Sequence, residues 1–302
     1  MTSSTRQGIC WYTFSLIIGF VFLLGCDFRE SKSKDYTTEA TTRGSGLNCG
    51  DIVMEINGKA EKRNVYEFGE KLELVFNKFE GFKSKEGKYF PILSTLVLKN
   101  GKDTALYSDN LLEEFKDGTD LNPLQLNAFF RMAFPYQNGE KYELKIVIKD
   151  AMGEGVFEYM QPFTVVKNDL LAVSSSGYSY SNIYLWNQTE DAGVFEKAID
   201  MSDQYALMLE GLQDVRRFGE TVYPVLSVDT RDANGMAILS DSNLLIHYEK
   251  SGVLYEDVFL EKLPVTLSFN EGVVNNPCSL NLILNEPGTN RKIEVSGEIV
   301  LE

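Results

Sequence analysis

The sequence predicts an all-β protein with two tandem antiparallel β-sandwich domains. Three observations lead to this prediction. Apolar and polar residues alternate along many short segments, and turn sequences such as Asn-Gly separate these segments. Two parts of the chain also repeat the same order of strands and turns, at an offset of about 133 residues.

The N-terminus has the pattern of an export signal. Residues 1–15 carry one positive charge, Arg6, and no acidic residue, and residues 14–24 are apolar except for Ser15. This apolar segment is too short for the roughly 20 residues that span a bilayer and is typical of a signal peptide. It ends in Leu23-Leu24-Gly25-Cys26, which resembles the lipobox of bacterial lipoproteins.

The lipobox resemblance implies a lipoprotein signal peptide over residues 1–25, cleavage before Cys26, and lipid on Cys26. Acyl chains on this cysteine would suffice for stable anchoring. The implied partner is therefore a membrane, and the implied location is a bacterial cell envelope, with the outer membrane favoured. A plain signal peptide or an uncleaved anchor helix is the alternative.

Residues 26–47 form the next segment. Residues 27–46 are rich in Ser, Thr, Lys, Glu and Gly, with almost nothing apolar to bury. This composition predicts a disordered tether that holds the domains away from the membrane surface.

The repeat defines two domains, over residues 48–167 and 168–302. When the two parts are aligned, Pro91 matches Pro224 and Asn100-Gly101 matches Asn234-Gly235. Asn-Gly supplies the two positive φ angles of a type I′ hairpin turn. Further on, residues 142–148 align with residues 278–284, and apolar residues occupy every second position in both. This period of two is typical of half-buried strands.

Residues 138–153 resemble the penultimate strand and turn of bacterial immunoglobulin-like and polycystic-kidney-disease-like domains, with a Gly, an aromatic residue, alternating aliphatic residues and an Asp-x-x-Gly turn. The resemblance implies the immunoglobulin-like class of sandwich. The second copy differs, because Cys278 replaces the aromatic residue and Asn285-Glu286-Pro287-Gly288 replaces the turn. In surface lipoproteins like those of Bacteroidota, such tandem domains act as spacers or binding modules.

Charge and cysteine content limit the possible functions. The formal net charge is −15, which argues against nucleic acid as a partner. With Cys10 in the signal peptide and Cys26 lipidated, only Cys49 and Cys278 remain. We expect Cys278 to be a buried free thiol, while a Cys49–Cys278 bridge is the alternative.

The sequence lacks the histidines that two common kinds of catalytic site need, and no carboxylate pair for glycoside hydrolysis can be picked out among its 44 acidic residues. His247 is the single histidine, so neither a nucleophilic triad nor a zinc site is expected. We therefore expect a protein that is not an enzyme and needs no cofactor. The carboxylates of Asp229, Asp232 and Asp241 could form a weak calcium site, although an Asp-rich turn that binds its own backbone is the more common explanation.

Tyr184 and Trp186 lie two residues apart, so their rings share one face of a strand. They are a possible glycan platform if that face is exposed, but we favour a buried face. The sequence thus predicts a non-catalytic spacer or protein-interaction module of the cell envelope, whose partner is another envelope protein. The alternative is a glycan-binding lipoprotein of a polysaccharide-uptake system.

Overall fold

A computed structural model describes residues 30–134, 139–258, 262–269, 272 and 274–302. The predicted signal peptide and Cys26 lie outside these residues. Within the described ranges, no helix is both long and apolar enough to cross a membrane.

The described residues of the first domain form eleven strands. They are β1 (Glu30–Lys34), β2 (Thr41–Ser45), β3 (Asn48–Ile56), β4 (Lys59–Ala60), β5 (Val65–Glu67), β6 (Lys71–Glu80), β7 (Pro91–Lys99), β8 (Asp103–Ser108), β9 (Leu124–Arg131), β10 (Glu140–Asp150) and β11 (Val156–Val166). A 3₁₀ turn covers Glu113–Phe115.

Two sheets of the first domain enclose one core. The larger sheet has the order β1-β2-β11-β10-β7-β8, with β5 paired in parallel to the end of β11, and the smaller has the order β4-β3-β6-β9. Alternate residues of these strands point inward, among them Leu74 and Phe76 of β6 and Leu144 and Ile146 of β10, all at most 1% exposed. The predicted alternation of residues 142–148 is confirmed.

In the second domain, the part of the chain that the structure describes forms twelve strands. They are β12 (Leu171–Ser176), β13 (Asn182–Asn187), β14 (Ala192–Gly193), β15 (Ala198–Ile199), β16 (Tyr205–Glu210), β17 (Thr221–Val222), β18 (Val225–Arg231), β19 (Ala237–Asp241), β20 (Val253–Leu254), β21 (Lys262–Leu267), β22 (Cys278–Asn285) and β23 (Lys292–Leu301). A 3₁₀ turn covers Ile246–Tyr248, and a single helical turn, α1, covers Tyr255–Val258.

The second domain repeats the arrangement of the first. Its larger sheet has the order β12-β23-β22-β18-β19, with β15 paired in parallel to β23, and its smaller sheet has the order β14-β13-β16-β21. Between them lies a separate core that includes Leu207, Leu226, Leu282 and Ile293. The predicted fold class, all-β with two tandem antiparallel sandwiches, is confirmed.

Matched hydrogen bonds support the internal repeat. The Asn110 side-chain oxygen accepts bonds from the amides of Leu93 (3.3 Å) and Leu112 (3.0 Å). Asn243 makes the same two bonds in the second domain, to the amides of Leu226 (3.4 Å) and Leu245 (3.0 Å). Both asparagines fix the start of a 3₁₀ turn against a strand that begins at the aligned Pro91 or just after the aligned Pro224.

The two Asn-Gly turns differ. Asn100 and Gly101 have φ angles of 50° and 68°, as a type I′ turn requires. In the second domain Gly235 has a φ of 81°, but Asn234 is not among the residues with positive φ. There the Asp232 carboxylate accepts the amides of Asn234 and Met236, and this local bonding selects a different turn.

The tether predicted over residues 26–47 is wrong for its described part. β1 and β2 form a hairpin, and β2 pairs with β11 of the larger sheet. The segment has few apolar residues, but Ala40 and Leu47 are both buried in the first core. The hydrogen bonds of strand pairing join backbone groups, so they can order this segment although its side-chain composition is typical of disorder.

Candidate functional site

Strand β13 places Tyr184 and Trp186 where the two domains meet. Ile183 and Leu185, which alternate with them, are buried in the core of the second domain. Because neighbouring side chains of a strand point to opposite faces, Tyr184 and Trp186 point away from that core. Both are partly buried, and each contacts a residue of the first domain.

Tyr184 packs against the core of the first domain. Its ring centroid lies 5.2 Å from that of Phe68, which is 7% exposed. The Tyr184 hydroxyl donates to Glu210 Oε1 at 2.7 Å, so it has a hydrogen-bond partner although the ring is partly buried. Burial, together with this bond to Glu210, raises the pKa of Tyr184.

Trp186 is covered by Arg131, the last residue of β9. The guanidinium carbon lies 4.9 Å from the Trp186 ring centroid, close enough for a cation–π contact. Arg131 Nη2 also donates to the carbonyl oxygen of Asp191 at 2.7 Å, in the turn that follows β13. One arginine of the first domain therefore binds both a ring and a backbone carbonyl of the second.

We call Phe68, Arg131, Tyr184, Trp186 and Asp191 the interdomain contact. A further ion pair, Lys59 Nζ to Glu196 Oε1 at 2.6 Å, joins the domains at an exposed position. Tyr184 and Trp186 thus form neither a free platform nor part of their own domain's core. Sequence reasoning missed Phe68 and Arg131, because they lie far from β13 in the chain and no local pattern marks them.

A cleft of about 910 Å³ opens beside the interdomain contact. Its walls include the edge strands β8 and β9 and, from the second domain, residues 190–193 and Phe195. Phe129 lies at this cleft with 67% of its surface exposed, and Lys71 Nζ lies 5.1 Å from its ring centroid. The Thr95 hydroxyl, on a residue that is 2% exposed, has no hydrogen-bond partner. The cleft combines apolar walls with a few polar groups, as small-molecule sites do.

The three carboxylates of the possible calcium site have separate bonds. Asp229 accepts hydrogen bonds from Arg231 Nε at 2.7 Å and from the Ser240 hydroxyl. Both bonds lower the pKa of Asp229, and the bond from Arg231 has the larger effect. Asp232 binds Asn275 as well as the turn amides, and Asp241 binds the amide of Asn243. Within the described ranges, no group of three or more His, Cys, Asp or Glu could hold a metal ion. The structure therefore shows the Asp-rich turn and does not assemble the calcium site.

The two thiols do not pair. Cys278 is buried beside the leucines of β22, as expected, and Cys49 lies half-buried in β3 of the other domain. Burial raises the pKa of Cys49 to about 11, so its thiol stays protonated at neutral pH. His247, the single histidine, is exposed in the 3₁₀ turn of the second domain.

No protein-family model and no curated protein matches the chain. Among solved structures, one that it resembles is the crystal structure of the C-terminal domain of wzt. The identity is 10% and the TM-score is 0.28, with 44% of this chain and 79% of that chain covered. Another is the fibronectin(III)-like modules of CbhA from Clostridium thermocellum. The identity is 10% and the TM-score is 0.20, with 83% of this chain and 94% of that chain covered. We transfer no function from either.

Proposed function

We propose that this chain is a lipid-anchored, non-catalytic spacer and interaction module of a bacterial cell envelope. The observation that carries the proposal is the interdomain contact. Freely jointed domains need no shared packing, whereas here Tyr184 of the second domain packs on the first core and Arg131 binds two groups across the boundary. Such a contact suits a module that holds its second domain in a fixed orientation.

The short connection to the anchor supports the same function. If Cys26 carries the lipid, only residues 27–29 separate it from β1 at Glu30. Even fully extended, this connection spans roughly 14 Å. The first domain would then lie close to the lipid headgroups, and the second domain would project from it. A spacer needs both features, a short link at its base and a stiff joint.

The anchor is tested by growth with labelled palmitate. We expect label on the wild-type chain and none on Cys26→Ala, which should also be released from the membrane fraction. Label that persists on the variant would exclude lipidation at this cysteine.

The stiff joint is tested by electron-spin distance measurements. Cys49→Ser and Cys278→Ala remove the native thiols, and new cysteines at the exposed positions Lys102 and Glu249 carry one label on each domain. We expect one narrow distance distribution, which Arg131→Ala combined with Tyr184→Ala should broaden. Lys59→Ala is the matched control, since it removes an exposed pair between the same domains and should leave the distribution narrow. A broad distance distribution in the labelled protein that keeps Arg131, Tyr184 and Lys59 would contradict the proposed spacer function.

The alternative, glycan binding, gains no support at Tyr184 and Trp186, because the first domain covers them. A glycan would need a different surface.

A further inference from the structure

The two copies of the repeat differ at one buried carboxylate. In the first domain Asp150 ends β10 opposite Pro91. Both oxygens of its carboxylate accept a hydrogen bond. Oδ2 accepts one from the amide of Lys83 at 2.8 Å, and Oδ1 accepts one from the amide of Met152 at 2.9 Å. Asp150 thereby holds the loop that leads into β7.

Glu286 occupies the corresponding place in the second domain. It follows β22, whose last residue Asn285 pairs with Val225, next to the aligned Pro224. Glu286 is 6% exposed, yet neither carboxylate oxygen takes part in a hydrogen bond. The cation beside it is Arg291, whose Nε lies 3.8 Å from Oε2.

A buried carboxylate without hydrogen bonds is costly, so its presence needs an explanation. The repeat alignment pairs Lys83 with Arg216, and in the second copy the loop amide no longer binds the carboxylate. The second copy has therefore released this group from the structural role that it has in the first copy.

Glu286 lines a pocket of about 370 Å³, together with Arg216, Phe218, Tyr223 and Pro287, although its two carboxylate oxygens are themselves covered. The rings of Phe218 and Tyr223 meet edge to face, with centroids 5.6 Å apart, and are 52% and 37% exposed. The Arg216 guanidinium lies 4.8 Å from the Phe218 ring centroid. The small pocket thus offers two aromatic rings and the Arg216 guanidinium as a donor, with the covered Glu286 carboxylate as a possible acceptor in its wall.

A neighbouring hydroxyl also lacks a partner. Tyr178 is 7% exposed and its hydroxyl makes no hydrogen bond. Burial, and then the charge of Glu286, raise the pKa of Tyr178 to about 12. The hydroxyl therefore stays protonated at neutral pH and can act as a donor.

These groups select among ligand classes. A cation would meet the guanidinium groups of Arg216, which lines the pocket, and of Arg291, which lies beside the carboxylate, whereas an anion would meet the carboxylate itself. A neutral polyol fits, since its hydroxyls can donate to Glu286 and accept from Arg216. The apolar face of a sugar ring can also pack on exposed aromatic rings.

We propose that the pocket of Arg216, Phe218, Tyr223 and Glu286 binds a sugar residue of a neutral glycan. The Glu286 oxygens are covered in the structure, so a direct bond from the sugar to them requires side chains at the pocket to move. This inference goes beyond the spacer function and does not depend on the lipid anchor.

The test uses the lipid-free chain that begins at Asp27 and retains both cores. Calorimetry measures its binding of five probes, the hexasaccharides of maltose, cellulose, xylan, mannan and chitin type. We expect at least one to bind. Glu286→Gln, which keeps the shape but removes the charge, and Phe218→Ala, which removes a ring, should each weaken that binding at least tenfold. Phe129→Ala is the matched control, because it removes an exposed ring of the first domain and should leave the affinity unchanged.

Three results would overturn the proposal. The first is that no probe binds at millimolar concentration, and the second is that Glu286→Gln and Phe218→Ala bind as well as the wild type. The third is that an arginine-rich peptide binds the wild type and Glu286→Gln abolishes that binding, while the hexasaccharides fail. None of these affects palmitate labelling or the spin-label distances, so failure of this site is distinguishable from failure of the spacer function.

Discussion

At the scale of single residues, Glu70 shows how the first domain accommodates a buried charge. The residue is 4% exposed. Arg63 binds both of its oxygens, Nη2 to Oε1 at 2.6 Å and Nη1 to Oε2 at 2.8 Å. The amide of Glu67 and the side chain of Asn57 donate two more bonds. Glu70 thus connects β5, the β3–β4 turn and the start of β6.

Arg63→Ala is therefore expected to destabilise the first domain by about 3 kcal/mol, because it leaves a buried carboxylate without its cation. We take the low end of the range for such pairs because 27% of the Arg63 side chain is exposed. Urea unfolding of the domain measures the loss. Lys197→Ala removes an exposed ion pair to Glu298 and should cost less than about 1 kcal/mol. Equal effects of the two variants would contradict the role assigned to Glu70.

Residue roles were predictable from sequence only where the partners are local. The Asp-rich turn was one of two explanations for Asp229 and Asp232, and it holds because Arg231 and Asn234 lie within a few positions. The covering of Trp186 was not predictable, since Arg131 belongs to the other domain. Glu286 was noted as a departure from the first copy, but only the fold shows that its carboxylate is buried without a hydrogen bond.

At the scale of elements, the β1–β2 hairpin is the main departure from the sequence prediction. Composition indicated disorder, because a polar segment cannot bury enough apolar surface by itself. Two contacts order the hairpin. Its strand β2 pairs with β11 of the larger sheet, and Asp35 accepts hydrogen bonds within the loop that connects β1 and β2. Asp35 accepts the amide of Thr37 at 2.8 Å and Lys62 Nζ at 2.8 Å.

The hairpin should consequently depend on pH. The hydrogen bond from Lys62, followed by the loop amides, lowers the pKa of Asp35 below its usual 3.8. A lowered pKa in the folded state means that the stabilisation is complete above the unfolded pKa, near 3.9, and is lost as pH falls through the folded value. Hydrogen exchange of residues 30–45 should show protection at pH 6 that falls below about pH 4.

Asp35→Asn is the matching variant. It should lower the protection of residues 30–45 at pH 6 and remove the part of the acid dependence that Asp35 contributes. Protection of β22 and β23 serves as the internal control, because those strands lie in the other domain. The same acid loss in Asp35→Asn and wild type would show that another group is responsible.

The core strands were the elements that the sequence predicted best. The alternation in β10 and β22 reports the buried face directly, since the period of two is a property of the strand itself. Leu144→Ala and Leu282→Ala each remove a fully buried side chain and should destabilise their own domain by roughly 2–5 kcal/mol. Differential scanning calorimetry of the full chain would assign each loss to one of two transitions.

At the scale of the whole molecule, the domains have separate cores but share the interdomain contact. The repeat predicted the two cores, because each copy carries a complete set of alternating strands. The repeat could not predict the interdomain contact. A contact between the two copies occurs once, so the contacts of Phe68 and Arg131 are not repeated in the second copy. The contact means that the stability of the first domain depends in part on a residue of the second.

Tyr184→Ala should therefore lower the stability of both domains, whereas Leu282→Ala lowers chiefly that of the second. The tyrosine packs against the first core, and the loss of part of a buried aromatic contact costs about 1–3 kcal/mol. A fragment of residues 27–167 lacks Tyr184, so its unfolding midpoint should lie below that of the first domain in the full chain. In the full chain with Tyr184→Ala, the unfolding midpoint of the first domain should fall toward that of the fragment. If the fragment and the full chain unfold at the same midpoint, the contact contributes no free energy, and the domains are joined by their linker alone.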